Sequence, residues 1–356
     1  MIVAAPASPG RLITVCIPTR NRPVLLTLAL QSVMRQDYRP IEVLVGDNSN
    51  DDTAAHVVAG IECPPGITLR YHRNVPPCDA AENVQQLFDR AGGDRLLTLH
   101  DDDLLVDNAL TVLAASWDSH PDSACVFGKH YIMTEGGETL ARATDEANRL
   151  YFRVRATAGR QDSPIEAGLR QQVPMNGFLV DTKLARQVGM RPSAVVGCSC
   201  DADFGVRAGI AAGSRAFVYV DRFVSFYRLT ESSILRDSRT NYGQHLFYQA
   251  ISSLPLPAEV ADSRRLMLTR IAPLAVLNAA MAGERRLALR LLRSEHYTLP
   301  WFGASTLRRL VCILSPRLHD KLLPLGRRLR RHRPTMFDAA TTDGMASDSK
   351  QGSMGR

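Results

Sequence analysis

Four short apolar runs alternate with amphipathic segments in the first hundred residues of the chain. The first run, 12–17, is continuous and rich in β-branched side chains, as expected for a strand buried on both faces of a parallel sheet. Further strands are predicted over 41–45, 67–71 and 95–99, with helices between them. Strands that alternate with helices through short connections predict a doubly wound α/β sheet.

Polar residues follow three of these strands: Pro18–Asn21 the first, Asp47 the second, and the aspartates Asp101–Asp103 the fourth. In such sheets ligands bind beyond the carboxyl ends of the strands, so these residues should meet in one crevice. Neighbouring carboxylates repel each other, and a hard divalent cation is their usual compensation. The alternative is a solvated turn before the next helix, with Asp107 as its N-cap.

From about residue 123 the pattern changes. A hairpin is predicted from 124–133 and 138–142, followed by a loop-rich stretch over 143–172. After it we expect a strand over 173–181, a helix over 200–212, and two strands over 216–220 and 223–229. Residues 240–335 are predicted to be helical and interrupted by prolines, and residues 337–356 to be disordered.

The bulk composition excludes several classes of protein. The chain has 356 residues, ample for a buried core, and its seven scattered cysteines indicate reduced thiols in a cytosolic protein. Neither a signal peptide nor an apolar stretch of about 20 residues is found, so an integral membrane protein is not expected. We therefore predict a cytoplasmic location, with peripheral binding to the inner face of the cytoplasmic membrane as a second option.

The formal net charge of +7 is distributed unevenly along the chain. Between Arg264 and Arg333, sixteen Lys and Arg residues face three acidic ones. Leucines recur at intervals of three or four residues within 306–333, which is typical of an amphipathic helix. Such a helix either lies on an anionic membrane or packs on the body of the protein. Aromatic residues are too sparse there to favour a nucleic acid as partner.

Three motifs together resemble the family 2 glycosyltransferases. They are Val15-Cys-Ile-Pro-Thr-Arg-Asn-Arg-Pro23, Glu42-Val-Leu-Val-Gly-Asp-Asn-Ser-Asn-Asp-Asp-Thr53 and Leu97-Thr-Leu-His-Asp-Asp-Asp103. The resemblance implies a GT-A fold over 11–235, with a nucleotide-sugar-binding half (11–122) and an acceptor-binding half (123–235). The basic helical region over 240–335 would be an extension of this domain.

The resemblance also implies roles in binding the donor. Asp47 would accept a hydrogen bond from N3–H of a uracil or thymine ring, which favours a UDP- or dTDP-sugar. Thr19 and Arg20 would lie beside the ribose and base, and Pro18 and Asn21 belong to the same segment. The alternatives are that Asp47 holds its own loop as an Asx-turn and that Arg20 is a surface residue paired with Asp51 or Asp52.

The aspartates match the family's DXD element. The resemblance implies that Asp103, or Asp102, binds Mg²⁺ or Mn²⁺ at the donor's phosphates and that Asp101 holds the ribose or sugar hydroxyls. If the segment is extended, Asp101 and Asp103 share a face and Asp102 points the other way.

Asp201 matches the aspartate that deprotonates the acceptor in the family. The Glu that commonly precedes it is Cys200 here, which leaves Asp203 as a competitor for the role of base, and Asp201 could instead cap its helix. Thr230 replaces a common phosphate-binding His, so Arg228 is predicted to contact the phosphates, with the hydroxyls of Ser232 and Ser233 as the alternative.

The predicted function is that of an inverting enzyme. It would move a sugar from a nucleoside diphosphate donor to a hydroxyl of a saccharide or lipid-linked glycan, in polysaccharide or cell-envelope glycan synthesis. A metal-dependent nucleotidyltransferase and a non-catalytic nucleotide-sugar-binding protein are the alternatives. The sequence contains no Gly-rich, Lys-containing loop after the first strand, which argues against the nucleotidyltransferase.

Overall fold

The structure, a computed structural model, describes residues 10–230 and 243–316. Strands and helices alternate in its first part: β1 Ile13–Thr19, α1 Pro23–Met34, β2 Ile41–Asp47, α2 Thr53–Ala59, β3 Ile67–Arg73, α3 Ala80–Arg90 and β4 Arg95–Thr98. This order confirms the predicted alternation. Pro23 begins α1, where its missing N–H costs nothing, and the side chain of Asp79 caps α3 by accepting from Ala81 N–H.

These four strands are parallel, in the order β3-β2-β1-β4. In the register of β1 and β2, Thr19 lies opposite Asp47, so both strands end at one edge of the sheet. Nearly every residue of β1 and all of β2 are buried, because helices cover both faces. The polar segments that follow β1, β2 and β4 therefore meet at the carboxyl edge.

The second part of the chain extends the sheet with both parallel and antiparallel strands. Its strands are β5 Leu104–Leu105, β6 Ser123–Met133, β7 Gly159–Arg160, β8 Phe178–Asp181 and β9 Ala216–Arg228. Its helices are α4 Ala109–Ser119, α5 Ala141–Leu150, α6 Pro164–Leu169, α7 Thr182–Val188, α8 Ser193–Val196 and α9 Cys200–Ala212. Strand β8 lies antiparallel between β4 and β6, and β6 pairs in parallel with β9.

The predicted hairpin is confirmed at its turn, where Thr134 N–H donates to Glu138 O and Leu140 N–H to Ile132 O, each at 2.8 Å, but its second strand, 138–142, does not form. Only an isolated bridge joins Met133 to Thr139, and helix α5 follows at once within the stretch expected to be rich in loops. The buried side of α5 is small and polar, which hides its helical period. Thr144 Oγ1 accepts from Ile132 N–H at 2.9 Å, and Asn148 Nδ2 donates to His130 O at 2.9 Å.

Two other boundaries differ from the prediction. Strand β8 is shorter than the predicted 173–181, and β9 is one strand where two were predicted. Strand β9 continues through Asp221 and Arg222 with shifts in its register against β6. A 2.7 Å ion pair between Lys129 and Asp221 fixes the irregular stretch.

Four helices follow: α10 Gln244–Ser253, α11 Ala261–Met281, α12 Arg285–Leu292 and α13 Ala304–Leu314. Pro273 lies inside α11 without ending it, contrary to the predicted interruption. The helices join the sheet domain beside α9, where Gln244 Nε2 donates to Ser199 Oγ at 2.8 Å. Within the described ranges no helix is long and apolar enough to span a membrane. The predicted helix beyond residue 316 and the predicted disordered tail lie outside the described residues.

Candidate active site

The carboxyl edge of β1 is linked directly to the first of the three aspartates. Thr19 Oγ1 donates to Asp101 Oδ2 at 2.7 Å, and Arg20 N–H approaches the same oxygen at 3.3 Å. Asp101 is buried, and its pKa is raised by burial and by the charge of Asp102, although Arg22 opposes this. The side chain of Arg20 is exposed and has no hydrogen bond or ion pair among the described residues.

Arg22, which the sequence did not single out, bridges two of the aspartates. Its Nη1 lies 3.2 Å from Asp101 Oδ1 and 2.9 Å from Asp102 Oδ2. The predicted extended geometry, with Asp102 pointing away from Asp101, is therefore wrong. Strand β4 ends at Thr98, and Asp101 and Asp102 lie in a turn, so side chains no longer alternate.

Asp103 turns away from Arg22 into the protein. Its Oδ2 accepts from Asn176 Nδ2 and its Oδ1 from Arg228 N–H, each at 2.8 Å. Burial is the main cause that raises the pKa of this carboxyl. The two donors fix the orientation of the carboxylate.

His100 completes a cluster that could hold a metal ion. Its Nδ1 lies 3.5 Å from Asp103 Oδ2, and His100, Asp102 and Asp103 can each offer one ligand atom, all within 4.8 Å of one another. Burial lowers the pKa of His100, but Asp103 and the charge of Asp201 outweigh it and raise the pKa. Within this cluster the carboxylates of Asp102 and Asp103 are the ligands that a hard cation prefers over an imidazole nitrogen. An oxygen-rich set of this kind suits Mg²⁺ or Mn²⁺.

Asp47 is fully buried beneath the same edge. Its Oδ1 accepts from Ser49 N–H and its Oδ2 from the Tyr71 hydroxyl, each at 2.7 Å. The first contact is the Asx-turn that the sequence left open. Burial and the Asp47 carboxylate raise the pKa of Tyr71, so the hydroxyl remains a donor. Asp47 therefore organises its loop whether or not it also contacts a ligand.

Asn21 joins the loops that follow β1 and β2. Its N–H donates to Ser49 Oγ at 2.8 Å, and its Oδ1 accepts from Asn50 N–H at 3.1 Å. Asn21 has a φ of 54°, a left-handed conformation that Asn tolerates better than most residues. These contacts hold the segment Pro18–Asn21 against the loop that follows β2.

Asp201 and Asp203 differ sharply in their surroundings. Asp201 is exposed in the first turn of α9, and its charge reaches His100. Asp203 is fully buried between Arg207 Nε at 2.7 Å and Arg191 Nη1 at 3.4 Å. Asp203 is thus committed to two ion pairs, whereas Asp201 is accessible. Neither aspartate caps α9, because its N-cap is Ser199, without a side-chain cap.

Arg228 holds the aspartate turn from the side of β9. Besides its backbone contact with Asp103, its Nε donates to Asp102 O at 2.9 Å and its Nη1 to Glu135 O at 2.8 Å. The guanidinium is buried and engaged with carbonyl oxygens. Its role as a direct phosphate ligand stays a prediction.

Two further residues stand differently from expectation. Asp107 does not cap α4: the N-cap is Asn108, and Asp107 instead accepts from Arg35 Nε at 3.3 Å. Asn176, which none of the sequence motifs contains, donates to Asp103 from just before β8. A polar residue followed by Gly177, with a φ of 73°, was the only local signal for it.

Comparison with known proteins finds relatives of the first half of the chain. Residues 14–171 match the family described as glycosyl transferase family 2. A GalNAc(5)-diNAcBac-PP-undecaprenol beta-1,3-glucosyltransferase of Campylobacter jejuni is 31% identical over 125 residues, which cover 35% of this chain and 40% of that protein. An uncharacterized protein of Mycobacterium tuberculosis is 34% identical over 160 residues, 45% of this chain and 47% of that protein. The match thus spans less than half the length of these curated relatives.

Solved structures share the fold along most of the chain. S. aureus TarS 1-349 in complex with UDP-GlcNAc has a TM-score of 0.56 at 15% identity, covering 86% of this chain and 91% of that one. The mannosyltransferase PcManGT from Pyrobaculum calidifontis, in complex with GDP-Man and Mn²⁺, has a TM-score of 0.53 at 17% identity, covering 88% of each chain. The chain therefore has the GT-A fold of these structures, and its residues 14–171 are similar to glycosyl transferase family 2.

Proposed function

We propose that the protein is an inverting glycosyltransferase that moves a sugar from a nucleoside diphosphate sugar to a hydroxyl of a saccharide or lipid-linked glycan. The observation that carries this is the convergence at one sheet edge of Thr19, Arg22, Asp47 and the Asp101–Asp103 turn. The process served would be polysaccharide or cell-envelope glycan synthesis.

The aspartate turn would bind the donor's diphosphate through a metal ion. Asp103 and Asp102 would hold Mg²⁺ or Mn²⁺, which when bound would neutralise charge on the leaving diphosphate as a Lewis acid. Asp103 is held by Asn176 and Arg228, whereas Asp102 is partly exposed and can face a ligand. Asp101 would accept hydrogen bonds from ribose or sugar hydroxyls.

The donor's nucleoside would lie between the loops after β1 and β2. Pro18, Thr19, Arg20 and Asn21 would form one wall of its site, and the exposed guanidinium of Arg20 is available to a ligand. Asp47 would contact the base, which favours UDP- or dTDP-sugars. Support for a nucleotide sugar also comes from the fold relatives named above, whose complexes contain UDP-GlcNAc and GDP-Man.

Asp201 would act as the general base. An acceptor hydroxyl would pass its proton to the Asp201 carboxylate as its oxygen forms a bond to the anomeric carbon. The bond from that carbon to the diphosphate oxygen would break in the same step, which inverts the anomeric configuration. The exposure of Asp201 and the double ion pairing of Asp203 support this choice.

The acceptor and location are inferred from weaker observations. The Campylobacter relative's name specifies an undecaprenol-linked substrate, so a lipid-linked acceptor is part of the proposal. A cytoplasmic protein held on the inner face of the membrane through 306–333 would reach such an acceptor, and nucleic acid is not a proposed partner. We infer the division into 11–122 for the donor, 123–235 for the acceptor and 240–335 as a basic helical region.

A transfer assay tests the proposal. Purified protein is screened with UDP-, dTDP- and GDP-sugars and Mn²⁺, first for slow donor hydrolysis and then for transfer to saccharide and polyprenol-linked acceptors. We expect turnover with one donor and a product of inverted anomeric configuration by NMR. Release of inorganic pyrophosphate from a nucleoside triphosphate and sugar phosphate would instead identify a nucleotidyltransferase. Donor binding without hydrolysis or transfer would identify a non-catalytic binder.

A further inference from the structure

An exposed apolar surface lies on α13 and on the loop before it, at the C-terminal end of the described helical region. It consists of Trp301, Phe302, Leu307, Leu310 and Leu314, here called the apolar face. These residues are about 200 positions after the aspartate turn in the sequence. Phe302 is fully exposed, Leu314 is 74% exposed and Trp301 is 53% exposed. Trp301, Phe302, Leu307 and Leu310 line one open depression. Adjacent exposed aromatic residues beside leucines mark an interaction surface.

Packing fixes the direction in which this face points. Leu307, Leu310 and Leu314 are spaced by three and four residues, so they share one side of α13. Buried Cys312 lies on the opposite side, and buried Ile313 lies one turn from Leu310; both belong to the core of the helical region, against which Leu310 is also partly packed. At the start of the helix, Oγ1 of buried Thr306 and the Tyr297 hydroxyl form a 2.8 Å hydrogen bond. The helix cannot roll to bury its leucines without losing these contacts.

The neighbouring helix α12, which packs on α13, presents cations. Arg285, Arg286, Arg290 and Arg293 are all exposed, and none forms an ion pair with an acidic residue of the described chain. Between Arg285 and the last described residue, Pro316, the only acidic residue is Glu295. In sequence, 317–333 then adds seven Lys and Arg against Asp320. Apolar and cationic groups are therefore concentrated in one region.

We propose that the apolar face binds the surface of an anionic phospholipid bilayer, with Trp301 and Phe302 inserted at the level of the headgroups. Aromatic and leucine side chains partition into this layer, while exposed arginines attract its negative charge. The near absence of acidic residues matches a uniformly negative surface better than a protein partner of mixed charge. The apolar face shares its leucines with the amphipathic helix predicted over 306–333 and adds two exposed aromatic residues, Trp301 and Phe302, from the loop before α13.

The chain contains its own probe for this proposal. It has two tryptophans, and Trp117 is only 5% exposed in the core of the sheet domain. Trp301 therefore dominates any change in emission when vesicles are added to the full-length protein. We expect a blue shift with phosphatidylglycerol vesicles, little change with phosphatidylcholine vesicles, and a response that weakens as salt rises. A Trp117→Phe variant should retain the whole shift.

Matched variants separate insertion from general surface hydrophobicity. Phe302→Ser should weaken vesicle binding in co-sedimentation by about tenfold, since a phenylalanine leaves water on insertion. The control Ile210→Ser removes another exposed apolar residue, on α9, and should bind like the parent protein. Arg286→Gln combined with Arg290→Gln should weaken binding to anionic vesicles only.

Three results would overturn the proposal: no binding to anionic vesicles, equal binding by Phe302→Ser and its parent, or self-association that buries Trp301 without lipid. The last is read by sedimentation velocity at rising protein concentration. Because none of these measurements requires donor or acceptor, failure of membrane binding and failure of sugar transfer are distinguished. A protein that binds vesicles but transfers no sugar would refute only the proposed function.

Discussion

The two aspartates at the start of α9 test whether the exposed carboxylate serves catalysis and the buried one stabilises the fold. Asp203 is fully buried against Arg207 and Arg191, whereas Asp201 is exposed. Replacing each by Asn changes the charge with little change in volume. We expect Asp203→Asn to destabilise the fold and Asp201→Asn to abolish transfer.

The magnitude for Asp203 follows from what its removal leaves behind. Breaking a buried ion pair by removing one partner typically costs about 3–5 kcal/mol. Arg191 is 36% exposed and can regain water, and Arg207 keeps its bond to Gly189 O at 2.7 Å, so we expect the low end of that range. A loss of about 3 kcal/mol lowers the melting temperature by roughly 5–10 °C.

Asp201→Asn should behave in the opposite way. An exposed substitution away from packed groups changes the unfolding free energy by about 0.5 kcal/mol or less. Loss of a general base lowers the turnover number by roughly 10²–10⁴-fold. Thermal unfolding and donor-dependent transfer are measured on both variants, with transfer assayed well below the melting temperature of Asp203→Asn. A stable but inactive Asp203→Asn beside an active Asp201→Asn would refute the assignment of the base.

The remaining predictions concern the crevice. Tyr71→Phe removes a hydrogen bond to buried Asp47 and should lower the unfolding free energy by roughly 1–2 kcal/mol in urea denaturation; an unchanged midpoint would contradict the role of this bond. Asn176→Ala removes a donor that orients Asp103 and should raise the Mn²⁺ concentration for half-maximal donor hydrolysis by about tenfold or more. The control Asn108→Ala, at an exposed N-cap, should leave this concentration unchanged. EDTA should stop hydrolysis, and added Mn²⁺ should restore it; full activity in EDTA would exclude the metal.

The parallel half of the fold was predictable because its signals are local. Strands buried in a parallel sheet have continuous apolar sequences. Residues 12–17 are such a sequence, and β1 was therefore predicted correctly. The second half was harder, because α5 packs Thr144 and Asn148 on β6 through hydrogen bonds instead of apolar contacts. The insertion of β8 between β4 and β6 depends on pairing between distant segments, which no local pattern encodes.

Some residues of the candidate site were likewise predictable from the sequence, and others were not. Aspartates at strand ends are conspicuous, and the prediction that they meet the residues after β1 is confirmed by the bond from Thr19 to Asp101. Arg22 and Asn176 were missed because no sequence motif marks the direction of their side chains, and their contacts with Asp101 and Asp103 become apparent only in the fold. Their importance comes from the positions of their side chains in the fold.

The central claim is that the aspartate turn binds a donor diphosphate through a divalent ion, and calorimetric titration of UDP into the protein tests it most directly. Titrations are run with Mn²⁺ and with EDTA, on the parent protein and on Asp103→Asn. The account predicts measurable affinity with Mn²⁺ and at least about tenfold weaker binding in EDTA or in the variant. Equal affinity in all conditions would contradict it.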